Sequence, residues 1–316
     1  MSRSCLVTGC AGFIGSHLCE RLVRDGHDVV GIDCFTDYYP RPAKESNLGW
    51  LRTQPAFRLI EANLLEADLP ALVSGKSWIF HQAAQAGVRA SWGDDFRTYT
   101  DNNILATQQL LEAARSSQAL DMLVYASSSS VYGDAENYPT HELMRPRPVS
   151  PYGVSKLAAE HLCCLYQRNY DVPAVSLRYF TVYGPRQRPD MAFNRFISAL
   201  LDGRAIGVYG DGEQTRDFTF ISDAVAANLL AAMYGRAGEV YNIGGGSRIT
   251  VNEVISMLEE IAGQKATVTH HAQQKGDVRH TGADISKSMR ELGFEARINI
   301  REGLKEEFDW IAGSRN

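Results

Sequence analysis

Three glycines in TGCAGFIGSH, residues 8–17, follow the spacing G-x-x-G-x-x-G, with Gly9, Gly12 and Gly15 placed between an apolar run and a helix-like segment. Glycines at such a turn allow close backbone approach to a ligand, and the N–H groups at the helix start can hold a pyrophosphate. Glycine also serves ordinary turns, so the triplet needs support. Asp33, at the end of the next apolar run, is an acid suited to the ribose hydroxyls of adenosine and would repel a 2′-phosphate. Together the glycines and the acid predict an NAD site.

Tyr152 and Lys156 lie four residues apart in SPYGVSK, residues 150–156, so a helix would place both side chains on one face. Beside a nicotinamide, such a pair can form a general base. A phenolate at neutral pH requires the pKa of Tyr to fall by about 3 units, or about 4 kcal/mol. One positive charge about 5 Å away contributes on the order of 3 kcal/mol at an effective dielectric constant of about 20. The Lys156 ammonium and an oxidised nicotinamide could supply the shift together.

Four consecutive serines interrupt LVYASSSSVYG, residues 123–133. A serine run is typical of a flexible linker. If residues 122–126 form a strand of a parallel sheet, however, Ser127 onward lies at the carboxyl end of that strand, where such sheets bind ligands. We therefore expect hydroxyl groups placed for chemistry rather than a linker.

The elements that must position these residues alternate along the first half of the chain. Helical apolar spacing at 13–24, 96–115 and 152–169 alternates with short apolar runs, at 5–8, 28–32, 57–60, 78–81, 122–126 and 174–179. This alternation predicts an α/β fold with a doubly wound parallel sheet of the Rossmann type. Later segments predict a strand at 238–243 and helices at 193–201, 251–262 and 301–311. We expect an NAD-binding Rossmann domain of residues 1–183 and 217–246, and a smaller C-terminal α/β substrate domain of residues 184–216 and 247–316.

Composition narrows the class of protein. The chain has 316 residues, 44% hydrophobic and 22% charged, as in soluble globular proteins. A net charge of −5 argues against a nucleic-acid partner. The sequence contains neither a signal peptide nor an apolar run of the roughly 20 residues that a membrane helix needs. The six cysteines lack CxxC spacing, which indicates free thiols in a reducing cytoplasm, and the histidines lack metal-binding spacing.

Motifs spread over nearly the whole chain resemble the extended short-chain dehydrogenase/reductase superfamily, and within it the nucleotide-sugar epimerases. Besides those quoted above they are HQAA (81–84), RYFTVYGPRQRPD (178–190), YGDGEQTRDFTFISD (209–223) and NIGGG (242–246). The segment RYFTVYGPRQRPDMAF is most similar to UDP-glucuronate 4-epimerases, and Thr181 stands where UDP-galactose 4-epimerases usually carry Asn.

The resemblance implies a UDP-sugar substrate, tightly held NAD, and transient oxidation of the sugar to a 4-keto intermediate followed by hydride return. It maps the catalytic hydroxyl onto Ser128, the base onto Tyr152 and its partner onto Lys156. The implied cofactor contacts are Gly9, Gly12, Phe13, Ile14, Gly15, Asp33, Asn63, Leu64, Ala83, Ala84, Asn103 (behind the site), Tyr152, Lys156 and Tyr179. The implied substrate contacts are Ser128, Ser129, Ser130, Thr181, Arg188, Gln214, Arg216, Asp277 and Arg279, with Arg188 and Arg216 as candidates for the diphosphate.

Three alternatives are weighed against UDP-glucuronate 4-epimerisation. The first two are a UDP-glucose/galactose 4-epimerase and a UDP-glucuronate decarboxylase. Related dehydratases carry Asp-Glu just before VYG and decarboxylases carry Glu, whereas this chain has Ser129 and Ser130, so elimination lacks its acid–base pair. The third alternative is a regulator that senses NAD without catalysis, which would have no use for a base.

Two further expectations follow from the residues. Neutral hydroxyls at positions 128–130 and 181 could hold the sugar carboxylate in two ring orientations and suppress decarboxylation.

Apolar residues point several ways in the helices at 96–115 and 152–169 (Ile104, Leu105, Leu110, Leu111, Leu157, Leu162 and Leu165). We therefore predict a homodimer in which both helices pack against their copies as a four-helix bundle.

Overall fold

A seven-stranded parallel sheet forms the centre of the computed structural model, which describes residues 2–315. Its strands are β1 (Ser4–Thr8), β2 (Asp28–Asp33), β3 (Phe57–Glu61), β4 (Trp78–His81), β5 (Met122–Ser128), β6 (Ala174–Tyr179) and β10 (Val240–Ile243), in the order β10-β6-β5-β4-β1-β2-β3. The order reverses between β1 and β4. Ligands of doubly wound folds bind outside the carboxyl ends of the strands at this kind of switch point.

Helices cover both faces of the sheet. They are α1 (Phe13–Arg24), α2 (Arg41–Asn47), α3 (Leu69–Val73), α4 (Phe96–Tyr99), α5 (Ala106–Arg115), α6 (Pro151–Tyr170), α7 (Ala192–Leu201), α8 (Ile221–Tyr234), α9 (Val251–Ala262), α10 (Ser286–Leu292) and α11 (Ile300–Gly313). Successive residues of β1 illustrate the arrangement, because Cys5 and Val7 belong to one apolar core and Leu6 to the other. None of the described helices is long and apolar enough to cross a membrane.

Two small sheets lie beyond the main one. Strands β7 (Thr181–Tyr183), β9 (Thr215–Phe220) and β11 (Arg248–Thr250) form the first, and β8 (Ile206–Tyr209) pairs with β12 (Val268–His271) in the second. Only Phe180 separates β6 from β7, so the chain passes directly from the main sheet into the first small sheet. The two-domain division given above stays a prediction.

The predicted fold class is confirmed, and two predicted elements differ in detail. Strand β5 continues to Ser128 instead of ending at residue 126, and a 3-10 turn follows at Ser129–Val131. The helical segment 96–115 contains a π-helical stretch at Thr100–Leu105, between α4 and α5. Apolar spacing does not reveal a change from i→i+4 to i→i+5 hydrogen bonds, and such stretches are frequent at functional sites.

A buried ion pair links the middle of the sheet to α6. Arg178 donates to Glu160 through Nη2 (2.5 Å) and Nε (3.0 Å), and the two side chains are 5% and 2% exposed. Ser127 donates its hydroxyl to the same carboxylate at 2.6 Å. Arg178 also donates to the hydroxyl of Tyr132 at 2.7 Å. Strands β5 and β6, the turn after β5 and helix α6 therefore share one charged network.

We expect Glu160→Gln to lower the free energy of unfolding by about 3–5 kcal/mol, because it leaves the Arg178 charge buried without a counter-ion. Urea denaturation followed by circular dichroism measures the loss. The matched control is Asp309→Asn, which breaks the exposed Lys305–Asp309 pair and should cost under about 1 kcal/mol. Equal losses in the two variants would contradict the role given to the buried pair.

Candidate active site

The turn between β1 and α1 forms a backbone cradle at the switch point of the sheet. Gly9 has φ +69°, and a Cβ atom there would lie 2.8 Å from the backbone of Ala83. A Cβ atom at Gly15 would overlap the carbonyl oxygen of Gly9. No side chain among the described residues caps the start of α1 at Gly12, so its first N–H groups are left for a ligand. The cradle fits the pyrophosphate of a dinucleotide.

A first cavity of about 220 Å³ opens from this cradle along the ends of the strands. It is lined by the following residues from the predicted cofactor set: Gly9, Gly12, Phe13, Ile14, Gly15, Asp33, Asn63, Leu64, Ala83, Ala84, Tyr152, Lys156 and Tyr179. Sequence reasoning did not find Thr36, Tyr38, Tyr39 and Lys44, which also line it. These four follow β2 in a segment without a recognisable motif, so only the folded chain brings them to the cavity.

Asp33 ends β2 at one side of this cavity. Its Oδ1 accepts the Phe35 N–H at 2.8 Å and its Oδ2 accepts the Ala11 N–H at 3.0 Å, which fixes the carboxylate at the cavity wall. The buried Lys44 ammonium donates to the Thr36 carbonyl at 2.6 Å and lies 4.7 Å from the centre of the Tyr39 ring. The acid thus remains where a ribose would be bound, while the nearby cation is engaged by backbone.

Asn103 lies behind the cavity rather than in its lining. It belongs to the π-helical stretch, and its amide accepts the Gln85 N–H at 2.7 Å and donates to the Gln85 carbonyl at 3.0 Å. The same amide nitrogen donates to Ser155 Oγ at 2.9 Å. Asn103 therefore ties the loop after β4 to helix α6.

His81 of the HQAA motif joins the cradle to that helical segment through a chain of buried hydrogen bonds. Thr107 donates to the Asn103 carbonyl at 2.6 Å, so its oxygen accepts from His81 Nε2 at 2.9 Å. His81 Nδ1 then accepts from Thr8 Oγ1 at 2.7 Å, and Thr8 in turn accepts the Ala83 N–H at 3.1 Å. Burial, followed by the charge of Lys156, lowers the pKa of His81 to about 3 and keeps the ring neutral. This chain of hydrogen bonds orients the Ala83 backbone in the cavity wall.

Helix α6 presents Tyr152 and Lys156 at the junction of the site. Ser150 caps the helix by accepting the Gly153 N–H at 3.1 Å. The Lys156 ammonium donates to the Ala126 carbonyl at 2.9 Å, and burial lowers its pKa to about 7. Burial raises the pKa of Tyr152, while the Ser128 hydroxyl and then the Arg188 guanidinium lower it. Arg188 is thus a charge that sequence reasoning did not assign to the base.

A second cavity of about 820 Å³ adjoins the first. The residues that line both cavities are Phe13, Ile14, Tyr38, Ala86, Ser127, Tyr152, Tyr179 and Arg188. The predicted substrate residues all line it, namely Ser128, Ser129, Ser130, Thr181, Arg188, Gln214, Arg216, Asp277 and Arg279. Within the serine run, Ser128 Oγ accepts the Ser130 N–H at 3.1 Å. Ser127 also lines both cavities, but its hydroxyl donates to the buried Glu160 and so serves the scaffold.

The arginines of the second cavity fall into two groups. Three of them pair with carboxylates: Arg188 with Asp190, Arg279 with Asp211 and Arg89 with Asp277. Among residues 2–315, Arg216 donates only to the carbonyls of Thr215 and Arg279, at 2.9 and 3.1 Å.

Arg195 on α7 has no ion pair with any carboxylate of residues 2–315 and lies 5.8 Å from the centre of the Tyr209 ring. Arg89 lies 4.1 Å from the same centre. Sequence reasoning missed Arg89, Arg195 and Tyr209. The only sequence signal was that Tyr209 opens the motif YGDGEQTRD.

No group of three or more His, Cys, Asp or Glu side chains within residues 2–315 is arranged to hold a metal ion. The chemical groups of the site are instead a phenol, an ammonium, a row of hydroxyls and several guanidinium groups around two adjoining cavities. Together, the glycine cradle, the carboxylate of Asp33 and the pair of Tyr152 and Lys156 define a dinucleotide-dependent enzyme of the extended short-chain dehydrogenase/reductase class.

Comparison with known proteins agrees with that class. Residues 5–244 match the NAD dependent epimerase/dehydratase family, and the chain belongs to this family. It is 46% identical over 311 residues to an uncharacterised UDP-glucose epimerase, YtcB, of Bacillus subtilis, covering 97% of each chain. It is 38% identical over 310 residues to a UDP-glucuronate 4-epimerase of Thermodesulfobacterium geofontis, covering 96% of this chain and 95% of the relative.

A crystal structure of UDP-glucuronic acid 4-epimerase from Bacillus cereus, in complex with UDP-glucuronic acid and NAD, is similar over 98% of this chain and 99% of that chain. The TM-score is 0.95 and the sequence identity is 44%.

We expect Tyr152→Phe to lose at least ~10²-fold in turnover, as is typical when a general base is removed. Because only the hydroxyl is deleted, fold and NAD content should be unchanged. Steady-state assays together with the absorbance of released cofactor measure both. Turnover near that of the unmodified enzyme would mean that the base lies elsewhere.

Proposed function

We propose that this enzyme catalyses the NAD-dependent C4 epimerisation of a UDP-sugar, with UDP-glucuronate and UDP-galacturonate as the substrate pair. The observation that carries the proposal is the row Ser128, Ser129 and Ser130, with Thr181, in the second cavity beside Tyr152. Dehydration and decarboxylation in related enzymes use carboxylates at these positions, as noted above. Here only neutral hydroxyls are present, which leaves reversible oxidation as the chemistry that the residues support.

The residues of the site would act in the following way. Tyr152 takes the proton from the sugar 4-hydroxyl, and Ser128 orients that hydroxyl and relays the proton. Lys156 is held by the Ala126 carbonyl beneath the cofactor cavity. NAD, bound along the glycine cradle, supplies reversible hydride chemistry at C4. The 4-keto sugar must then present its opposite face, so the groups that hold it cannot be rigid.

Arg195 and Arg216 are the proposed contacts of the diphosphate. Guanidinium groups suit phosphate oxygens because they donate in pairs, and a cation without a carboxylate partner gives up no ion pair on binding. The other arginines of this cavity are already paired with Asp190, Asp211 and Asp277. This pairing argues against Arg188 as a diphosphate ligand.

The sugar carboxylate is proposed to bind the hydroxyl row. Oxidation at C4 makes a β-keto acid, which tends to lose CO₂, and the carboxylate must be restrained while the ring turns. A hydrogen bond from a neutral hydroxyl to a charged group is worth about 1.5–3 kcal/mol. Breaking a desolvated ion pair costs several kcal/mol. Hydroxyls therefore allow two ring orientations at a lower cost than an arginine would.

UDP-glucose is the second candidate substrate, because the Bacillus subtilis relative is described as a UDP-glucose epimerase. The second cavity contains serine and threonine hydroxyls that could also bind a hydroxymethyl group. The number of hydroxyl donors in the cavity favours UDP-glucuronate as the substrate. Three serines and Thr181 provide more donors than a hydroxymethyl group needs, whereas the oxygens of a carboxylate can accept from several donors.

The proposal is tested by offering UDP-glucuronate and UDP-glucose side by side and analysing products by mass spectrometry and NMR. We expect UDP-galacturonate with little CO₂ and no net NADH, since epimerisation returns the hydride. Steady NADH formation would indicate a dehydrogenase, and faster turnover of UDP-glucose would favour the second candidate. Thr181→Val removes one hydroxyl and tests carboxylate binding. It should raise the ratio of UDP-pentose to UDP-galacturonate. An unchanged ratio would show that the carboxylate is held elsewhere.

A homodimer is also proposed, with α5 and α6 packed against their copies. Leu110 and Leu111 are buried in the core of the protomer. The excess apolar surface therefore rests on Leu105, Val154 and Leu165, which are 43%, 46% and 53% exposed. All three belong to the helical segments assigned to the bundle.

The six unpaired cysteines fit a reducing compartment, and we propose that the enzyme works in the cytoplasm.

Light scattering at micromolar concentration should give twice the protomer mass, and Val154→Glu with Leu165→Glu should give the protomer mass, because burying two carboxylates opposes association. The exposed Met289→Glu, on α10, is the matched control and should leave the dimer intact. A protomer mass for the unmodified protein would exclude the proposed bundle.

A further inference from the structure

Arg188 is held in one orientation at the wall common to both cavities. Its Nε and Nη2 each donate to one oxygen of Asp190 at 2.9 Å, and its side chain is 20% exposed. Tyr38 donates its hydroxyl to Asp190 at 3.3 Å, and the Arg188 guanidinium lies 5.8 Å from the centre of the Tyr38 ring. Three side chains from two distant segments thus form one charged cluster beside the base.

The segment before Arg188 is anchored from several sides, which fixes where the cluster lies. The N–H of Gly184 donates to Glu307 on α11 at 2.7 Å. His17 on α1 donates to the Pro185 carbonyl at 2.9 Å, since burial lowers its pKa to about 4 and one ring nitrogen keeps its proton. Arg186, at φ +68°, pairs with Glu20 on the same helix. The helix of the cofactor cradle and the Arg188 segment are therefore joined by a hydrogen bond and an ion pair.

Tyr38 is confined in the same manner. The loop after β4 passes so close to its hydroxyl that any Cβ atom at Gly87, where φ is +100°, would overlap it. Tyr99 donates its hydroxyl to the carbonyls of Ala86 and Gly87, which holds that loop in place, and its ring lies edge-on to Tyr152 with centroids 6.3 Å apart. Tyr38 is consequently packed against the loop after β4 with its hydroxyl on Asp190.

The electrostatic problem at this position arises from the 4-keto intermediate. Arg188 and Tyr152 both line the two cavities, and the charge of Arg188 lowers the pKa of Tyr152. In the proposed reaction the oxygen on C4 of the sugar would lie at that phenol. If the C5–carboxylate bond breaks, CO₂ leaves and the bonding electron pair forms an enolate whose negative charge rests on the C4 oxygen. A proton from water at C5 then gives the 4-keto pentose, and hydride return gives the UDP-pentose. A full positive charge beside the C4 oxygen would stabilise that enolate.

We propose that Asp190, oriented by Tyr38, is a specificity-determining positioning residue that offsets part of the charge of Arg188 beside Tyr152 and thereby limits loss of CO₂ from the 4-keto intermediate. The inference rests on the proposed function of the same site. Asp190 does not touch the reacting atoms and acts through Arg188. The hydroxyl row restrains the carboxylate that would leave as CO₂. Asp190 acts instead on the negative charge that cleavage of the C5–carboxylate bond would place on the C4 oxygen.

The test uses Asp190→Asn in the full-length enzyme with bound NAD and UDP-glucuronate as substrate. Asp190→Asn removes the negative charge that opposes Arg188, so Arg188 stabilises the phenolate of Tyr152 more strongly. The acidic limb of the profile of kcat/KM against pH should therefore move to lower pH by roughly 1 unit. The ratio of UDP-pentose to UDP-galacturonate should rise about 10-fold, which corresponds to one pKa unit of additional charge stabilisation. The other groups around Tyr152, which are Ser128, Lys156, Tyr38, Tyr99 and Tyr125, are unchanged in this variant.

Matched variants separate charge from structural damage. The double variant Asp190→Asn, Arg188→Gln removes the cation as well and should return the product ratio toward that of the unmodified enzyme. Asp202→Asn removes a carboxylate paired with Arg204 and Arg315 at the protein surface and should leave ratio and pH profile unchanged. If Asp190→Asn loses its NAD or fails to fold, Tyr38→Phe decides the question, with a smaller shift in the same direction.

The outcomes are distinct. A raised ratio and a shifted limb in Asp190→Asn, both reversed in the double variant, support the inference. An unmodified enzyme that epimerises UDP-glucuronate, together with an Asp190→Asn variant of the same ratio and pH profile, overturns it. Failure of the unmodified enzyme to form UDP-galacturonate would refute the proposed function itself.

Discussion

The buried pair of Glu160 and Arg178 is the interaction on which the arrangement of the site depends. Each charge would cost several kcal/mol to bury alone, so the pair is stable only when its geometry and its hydrogen bonds are complete. Ser127 from β5 and Tyr132 after the serine run complete them, and Tyr132 donates to Asn242 of β10 at 2.7 Å. The end of β5 is therefore fixed relative to α6. Lys156 lies one turn before Glu160 on that helix, and so the base and the hydroxyl row keep a set spacing.

Charge compensation is the second organising feature. The substrate cavity is rich in arginine, as a diphosphate requires, but most of these cations carry a carboxylate partner. A guanidinium with no carboxylate partner among residues 2–315, such as Arg216, is available to an anionic ligand. Arg188 is held in place by Asp190, and its charge still lowers the pKa of Tyr152. In a chain with a net charge of −5, binding an anion depends on this local distribution.

Under the proposed function, neutral hydroxyls next to Tyr152 would allow one site to oxidise and reduce the same carbon. Hydride must return to the opposite face of the sugar, so the contacts that hold the ring have to break and form again. Serine and threonine hydroxyls rotate and act as donors or acceptors, so in the proposed mechanism Ser128 or Thr181 would serve either orientation. A carboxylate at the same place would repel a uronate and would supply the acid or base for elimination. On the proposed function, the residue type at these positions would select the reaction within a shared fold.

The sequence by itself determined the α/β fold, the glycine turn with Asp33, the Tyr152–Lys156 pair and the set of hydroxyls, because these depend on local spacing and on motifs near the ends of strands. Tertiary structure alone decided which charges meet. Arg195 and Arg89 reach one cavity from segments over 100 residues apart, and Tyr38 meets Asp190 across 152 residues. Local spacing cannot show that the Ser127 hydroxyl donates to the buried Glu160, nor that a π-helical stretch lies between α4 and α5. Such contacts follow from packing between elements, and the energies of ion pairs depend on burial and distance, which exist only in the folded chain.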